Sequence, residues 1–381
     1  MKYSRLSTIL VSGLAAAGLA LGSAPTAAAA SDGHDSPGAV FVETNDLAHN
    51  AVIAYNRSTD GHLTRVGAYA TGGAGAVVGG AVVDPLASQG ALTLDRVHGL
   101  LFAVNGGSDT ITVFGVDGNR LVRRQVLPSG GDLPVSVSVA GDLVYVLNAR
   151  SGGAISGYRV VGGRVQPVSG STRTLNLAPN ANPEFLQTPS QVAISPDRHT
   201  VAVATKTHGE LLSYPLGDDG RPSSPPVTTA SGTVPFALTF DSSGMLLVVD
   251  ATGYASSYTV GSHAALTLDS VAGPTGQAAA CWTALVGGTL YAANAGSNSI
   301  TAFAEGQGAL SIADAVAATT GAGPIDIAAS ADGRFVYQLT GGSGQVDEYA
   351  RAANGSLTMI AAADTGLGAA SGKPIEGIAA S

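Results

Sequence analysis

Cysteine is almost missing from this sequence. A single residue, Cys281, stands in 381, so no intramolecular disulfide can form. A chain without such staples must be held by a large core, and this length can supply one. Charge is scarce as well. Asp, Glu, Lys and Arg make up 12% of the chain, about half of the roughly 25% usual in globular proteins. Cations are scarcer than anions, 18 Lys and Arg against 27 Asp and Glu, for a net charge of −9. With no basic stripe to release counterions, nucleic acid is excluded as a partner, and so is a polybasic membrane-surface helix. Aromatics are few: 8 Phe, 11 Tyr and 1 Trp. The hydrophobic share of 45% is still too high for a disordered chain. The apolar residues come as short runs broken by Gly, Asp and Asn, a texture that excludes coiled coils, helical bundles and collagen.

The exception is the N-terminus. Lys2 and Arg5 precede an apolar run over residues 9–21, and Ala28-Ala29-Ala30 offers a small-residue cleavage site before Ser31. This is the pattern of a secretory signal. The run is too short and too rich in Gly and Ala for a membrane span. No Cys lies near the cut, which excludes a lipid anchor, and no Arg-Arg pair appears. Residues 1–30 are therefore expected to be a signal peptide, residues 31–381 the folded domain, and the protein secreted or extracellular.

What the chain does have is a repeat. A short apolar strand ends in a polar residue, a turn follows, and a second strand closes on Tyr or Phe. The polar residues are Asn45, Asn105, Asn148, Thr205, Asp250, Asn294 and Thr340. The aromatics are Tyr55, Phe114, Tyr158, Tyr214, Tyr258, Phe303 and Tyr349. Periods of about 40–50 residues with several short strands each indicate propeller blades. Two more strands belong to each unit. Before the polar-ending strand comes a stretch often opened by proline (Pro134, Pro189, Pro235, Pro324), which suits a first strand position. After the aromatic comes a tight turn such as Asp60-Gly61, Asp117-Gly118 or Asn354-Gly355, then an outer strand.

The two ends complete the count. The first unit, AVFVETN, lacks an inner strand, and the last residues, PIEGIAAS from Pro374, form an inner strand with nothing after it. The expected fold is all-β: a seven-bladed propeller of four-stranded antiparallel blades, closed by pairing of the C-terminal strand with the segment around Phe41. Closure removes exposed sheet edges. Two insertions, residues 70–87 and 171–188, lengthen crossovers between blades; loops of this length are functional or disordered.

The geometry of a propeller nominates a site. Inner strands begin at the central channel on the face that carries the crossovers. One residue per blade is expected to ring that mouth: Gln89, Ser136, Gln191, Ala237, Trp282, Asp326 and Glu376. Turns on the same face add Arg150 and Lys206. Asp326 or Glu376, crowded and partly desolvated, is the candidate general base. Arg150 or Lys206 would hold an anionic group or a developing oxyanion, and Gln89, Gln191 and Trp282 would line the pocket. The same residues also suit a purely structural duty, binding water and satisfying strand ends. The sequence has no G-x-S-x-G elbow, no Walker loop and no EF-hand, and its seven His never fall at zinc-binding spacing. Neither a metal nor another cofactor is expected.

The units LFAVNGGSDTITVF, LYAANAGSNSITAF and VAISPDRHTVAVAT resemble the lactonase family of seven-bladed propellers. That family includes enzymes of the 6-phosphogluconolactonase and carboxymuconate-cyclase type, and it shades into surface propellers with YVTN-like repeats. The resemblance implies hydrolysis of a lactone by an activated water, or the reverse closure. The family's inner-strand His falls here on Ser190, and its Asp-Arg pair on Gly209 and Glu210, so phosphogluconolactonase chemistry does not carry over residue by residue. Two functions follow as expectations: a secreted monomeric hydrolase opening a lactone or cyclic ester, or a non-catalytic propeller binding a small molecule, glycan or protein.

Overall fold

The computed structural model describes residues 38–178, 183–223, 225–306 and 308–381. The expected signal segment lies outside the described residues. Seven antiparallel sheets of successive strands surround a central channel. Blade two shows the plan: Leu92–Asp95 innermost, then Leu100–Asn105, Thr110–Asp117 and Arg120–Pro128 at the rim. Blades three to seven open with Pro134–Ala140, Gln191–Ile194, Pro235–Phe240, Ala280–Val286 and Pro324–Ala329. In blade three an additional short strand, Arg173–Thr174, pairs with the third strand. Blade one is composite. Its inner strand is Glu376–Ala380, paired with Gly38–Glu43 in the register Phe41↔Ala379. The Glu376–Ala380 strand thus closes the ring, and among the described residues no sheet has a free edge except its rim and channel edges.

The repeat has a packing reason. All seven aromatics of the third strands are buried at 4% exposure or less, wedged between blades. Second-strand tyrosines add hydrogen bonds between neighbours. The hydroxyl of Tyr145 donates to the Gly220 carbonyl, Tyr291 to Gly355 and Tyr337 to Gly61, in each case the outer hairpin turn of the next blade. A buried phenol needs such a partner.

Two faces follow from the meander. The turns between inner and second strands lie on one face, here called the hairpin face. The crossovers and the turns after the second strands lie on the other.

Candidate functional site

The first insertion does not stand off from the molecule. Residues Asp84–Gln89 form a buried strap across the channel mouth on the crossover face; Leu86 is fully buried and Ser88 nearly so. Asp84 shapes its turn: Oδ1 accepts from the amides of Leu86 and Ala87, and Oδ2 from Ser88. Four blades and the second insertion then hold the strap. Glu376 Oε2 accepts from the Leu86 amide at 3.2 Å. The Ser88 hydroxyl donates to Val135 O, and the Trp282 indole donates to Ser88 O at 2.7 Å. The Gln89 amide to the backbone of Thr283 makes a two-way pair, Nε2 to O at 2.6 Å and N to Oε1 at 3.0 Å. The Gln89 backbone donates to Ser190 O. Lys206, 2% exposed, donates from Nζ to Ala87 O, Phe185 O and Thr188 Oγ1 at 2.7–3.0 Å. The second insertion packs alongside as the short helix Glu184–Gln187, whose Glu184 pairs with Arg150 at 2.7 Å.

The structure gives the expected site residues these contacts. The strap fills the channel's crossover mouth, because the insertion brings its own polar turn into it; a smaller cavity of about 250 Å³ lies beside it on that face, lined by Val82, Pro85 and Ile375 among others. Lys206, Trp282 and Glu376 hold the strap, and Arg150 ties the two insertions together through Glu184 and Val77 O. None of these four lines the channel cavity.

The channel opens at the other end. A cavity of about 920 Å³ reaches the hairpin face, a size that suits a small-molecule ligand. Gln89, Gln191 and Asp326 line it, with Val137, Leu238, Thr283 and Ile378 completing the layer nearest the strap. Arg96 is at the mouth, where its guanidinium donates to Ala329 O and Ala380 O.

The ring residues have a common structural task. An inner strand has no neighbour on its channel edge, so its amides need other acceptors. Ser136 Oγ takes the amide of Val192 in the next blade, Gln191 Oε1 that of Leu238 at 2.7 Å, and Asp326 Oδ2 that of Ile378 at 3.1 Å. A hydroxyl or a neutral amide performs this task without burying a charge. Asp326 performs it as a carboxyl at 4% exposure. The desolvation is large enough to push its pKa up to about 7, against the opposing effect of the Ile378 and Ile327 amides. Its backbone is unusual too. Inner strands of blades three, five and six carry a bulge after their opening residue, with pairing resuming at Ser136, Ala237 and Trp282. In blade seven pairing resumes one residue later, at Ile327, and Asp326 lies within the bulge at φ 22°.

Three further carboxyls lie buried nearby. Glu43 and Glu376 are raised well above the usual range and Asp84 is raised, each mainly by burial. The neighbouring Asp84 raises Glu376 further. Glu43 accepts from Asn50 at 2.6 Å through Oε1, and its Oε2 has no partner. Lys206 is pulled down to about 7 by burial, against the pull of Asp84. Among the described residues no group of three or more His, Cys, Asp or Glu is arranged to hold a metal ion.

The repeat assigns Asp326, Gln89 and Gln191 to the ring, and all three line the cavity. It does not single out Asp84, Glu43 or Gln338. The signal for the last two is nevertheless present: both occupy the position two before the polar strand end, where the other five blades have Ala103, Val146, Val203, Val248 and Ala292.

Residues 259–368 match the family model described as Lactonase, 7-bladed beta-propeller. In that stretch the chain is similar to the lactonase-family propellers. No curated protein matches it by sequence. Solved structures share the fold of the whole ring. A periplasmic gluconolactonase of Pseudomonas aeruginosa is 18% identical, with a TM-score of 0.69 over 91% of this chain and 99% of that one. A Bacteroides fragilis protein described as a "putative 6-phosphogluconolactonase" is 16% identical, with a TM-score of 0.65 over 86% and 95%. A Lactobacillus plantarum protein is 19% identical, with a TM-score of 0.67 over 87% and 97%. At these identities the lactonase-type propellers establish the architecture and not the chemistry.

Proposed function

We propose that this protein is an exported, monomeric lactone hydrolase that works from the channel cavity on the hairpin face, with Asp326 as general base. One observation carries the reading: a carboxyl with a midpoint near neutrality, strained and buried, lines a ligand-sized cavity. Ionised Asp326 takes a proton from a water as its oxygen attacks the lactone carbonyl carbon. The tetrahedral intermediate breaks the ring C–O bond, and the proton passes from Asp326 to the departing alkoxide, leaving a hydroxy acid. Gln191 Oε1 is committed to Leu238, which leaves its Nε2 as a donor toward the developing oxyanion. The lactonase family match and the gluconolactonase likeness support a cyclic ester as substrate class. Among the described residues no helix is long and apolar enough to cross a membrane. Export is supported by the N-terminal sequence and by the periplasmic relative.

The second reading, a binding propeller without chemistry, is favoured by the backbone duty that Gln89, Gln191 and Asp326 all perform. A lactone panel separates the two. Wild type is expected to hydrolyse at least one lactone, with a rate that rises with pH through about 7 as Asp326 ionises. Asp326→Asn is expected to lower that rate by about 10²-fold or more. No hydrolysis above a heat-denatured control would leave the binding reading.

A further inference from the structure

The geometry points to Gln338 as a positioning residue that holds the blade-seven bulge and thereby sets where the Asp326 carboxyl stands in the cavity. The inference rests on Asp326 being the base, although its test does not require turnover.

Gln338 lies on the second strand of blade seven, Phe335–Thr340, and is fully buried. The bulge breaks regular pairing between Pro324 and Ile327, which removes ladder donors from the carbonyls there. The Gln338 side chain replaces them. Its Nε2 donates to Ile325 O at 2.6 Å and to Asp326 O at 3.0 Å, and also reaches Leu339 O at 2.8 Å. The five blades with Ala or Val at this position have no side chain able to do so. Three of them, blades three, five and six, carry the bulge with pairing resumed at the residue equivalent to Asp326. The displaced bulge and the amide that braces it therefore occur together, and they occur in the blade whose ring residue is the cavity's carboxyl. The amide has a cost: Gln338 Oε1 is buried without a partner. An apolar residue would avoid that cost if packing alone were the purpose.

The charged groups that face Asp326 are Asp84 on the strap and Glu43 on the second strand of blade one. A change at Gln338 alters neither. A shift in Asp326 titration then reports the position of the carboxyl.

The experiment is carbon-13 NMR of the folded chain labelled at Asp carboxyls, with the Asp326 signal assigned by its loss in Asp326→Asn. In Gln338→Met the titration midpoint is expected to move by about half a pH unit or more. Where turnover is measurable, kcat falls about tenfold or more with little change in KM, and the pH profile moves with the midpoint. Gln338→Leu, likewise uncharged and without a donor, serves if the Met variant does not fold. Val146→Met, the same position in blade three, controls for added bulk and is expected to leave the midpoint in place. An unmoved midpoint in both Gln338 variants overturns the inference. A moved midpoint in a protein that hydrolyses no lactone upholds the positioning role and removes the hydrolase reading instead.

Discussion

Asp326 carries the account at the scale of single residues, and its electrostatics make a stability prediction apart from catalysis. Burial raises its folded-state midpoint to about 7, from an ordinary value near 4. The folded state then binds more protons than the unfolded state between those limits. The contribution of this group to stability is present below about pH 4 and is lost as pH rises through 7. Relative to wild type, Asp326→Asn is expected to gain stability between pH 5 and pH 8. The gain is a few kcal/mol at most, since each tenfold change in proton affinity is worth about 1.4 kcal/mol. The asparagine keeps one acceptor oxygen for two amides, so its absolute stability at pH 5 is expected to be lower. Urea titrations at the two pH values read the difference; parallel behaviour of the two proteins would place an ordinary carboxyl at this position. Sequence position is enough to put Asp326, Gln89 and Gln191 at the channel. It does not reveal the strap contacts of Glu376, Lys206 and Trp282, because their partners lie more than 100 residues away in sequence.

Strands and loops differ in how far sequence exposes them. Strands repeat, and the aromatic at a fixed distance from a polar strand end gives away all seven copies. The strap has no periodicity, since Gly- and Val-rich sequence around it serves one crossover only. Its fixing residue, Asp84, acts through backbone amides that no pattern marks. Two substitutions test it as an element. Leu86 is fully buried, so Leu86→Ala is expected to cost about 2–5 kcal/mol in denaturant unfolding. Lys206→Met removes the donor to Ala87 O and Phe185 O. The amides of Leu86, Ala87 and Ser88 are then expected to exchange hydrogen about tenfold faster or more, through local opening. Unchanged exchange would mean that Lys206 does not hold the strap.

The whole molecule depends on closure. Glu376–Ala380 supplies the inner strand of blade one, and its removal would leave the Gly38–Glu43 strand with a bare edge. A chain ending before Glu376 is expected to lose its single cooperative melt and to aggregate on size-exclusion chromatography. A monomer with wild-type melting would show the last strand to be dispensable. The mismatched chain ends make this closure readable from sequence. Which end of the channel stays open is not readable there, because it depends on where the first insertion settles.

On the proposed function lactone enters from the hairpin face, and single-cysteine blocking checks that route. The native Cys281 is buried, so a bulky maleimide will react with an introduced surface cysteine. Ala331 is exposed at the cavity mouth, and Val82, 82% exposed, lies on the crossover face beside the strap. Modification of Ala331→Cys is predicted to abolish lactone turnover while modification of Val82→Cys leaves it intact; the reverse result would contradict the account.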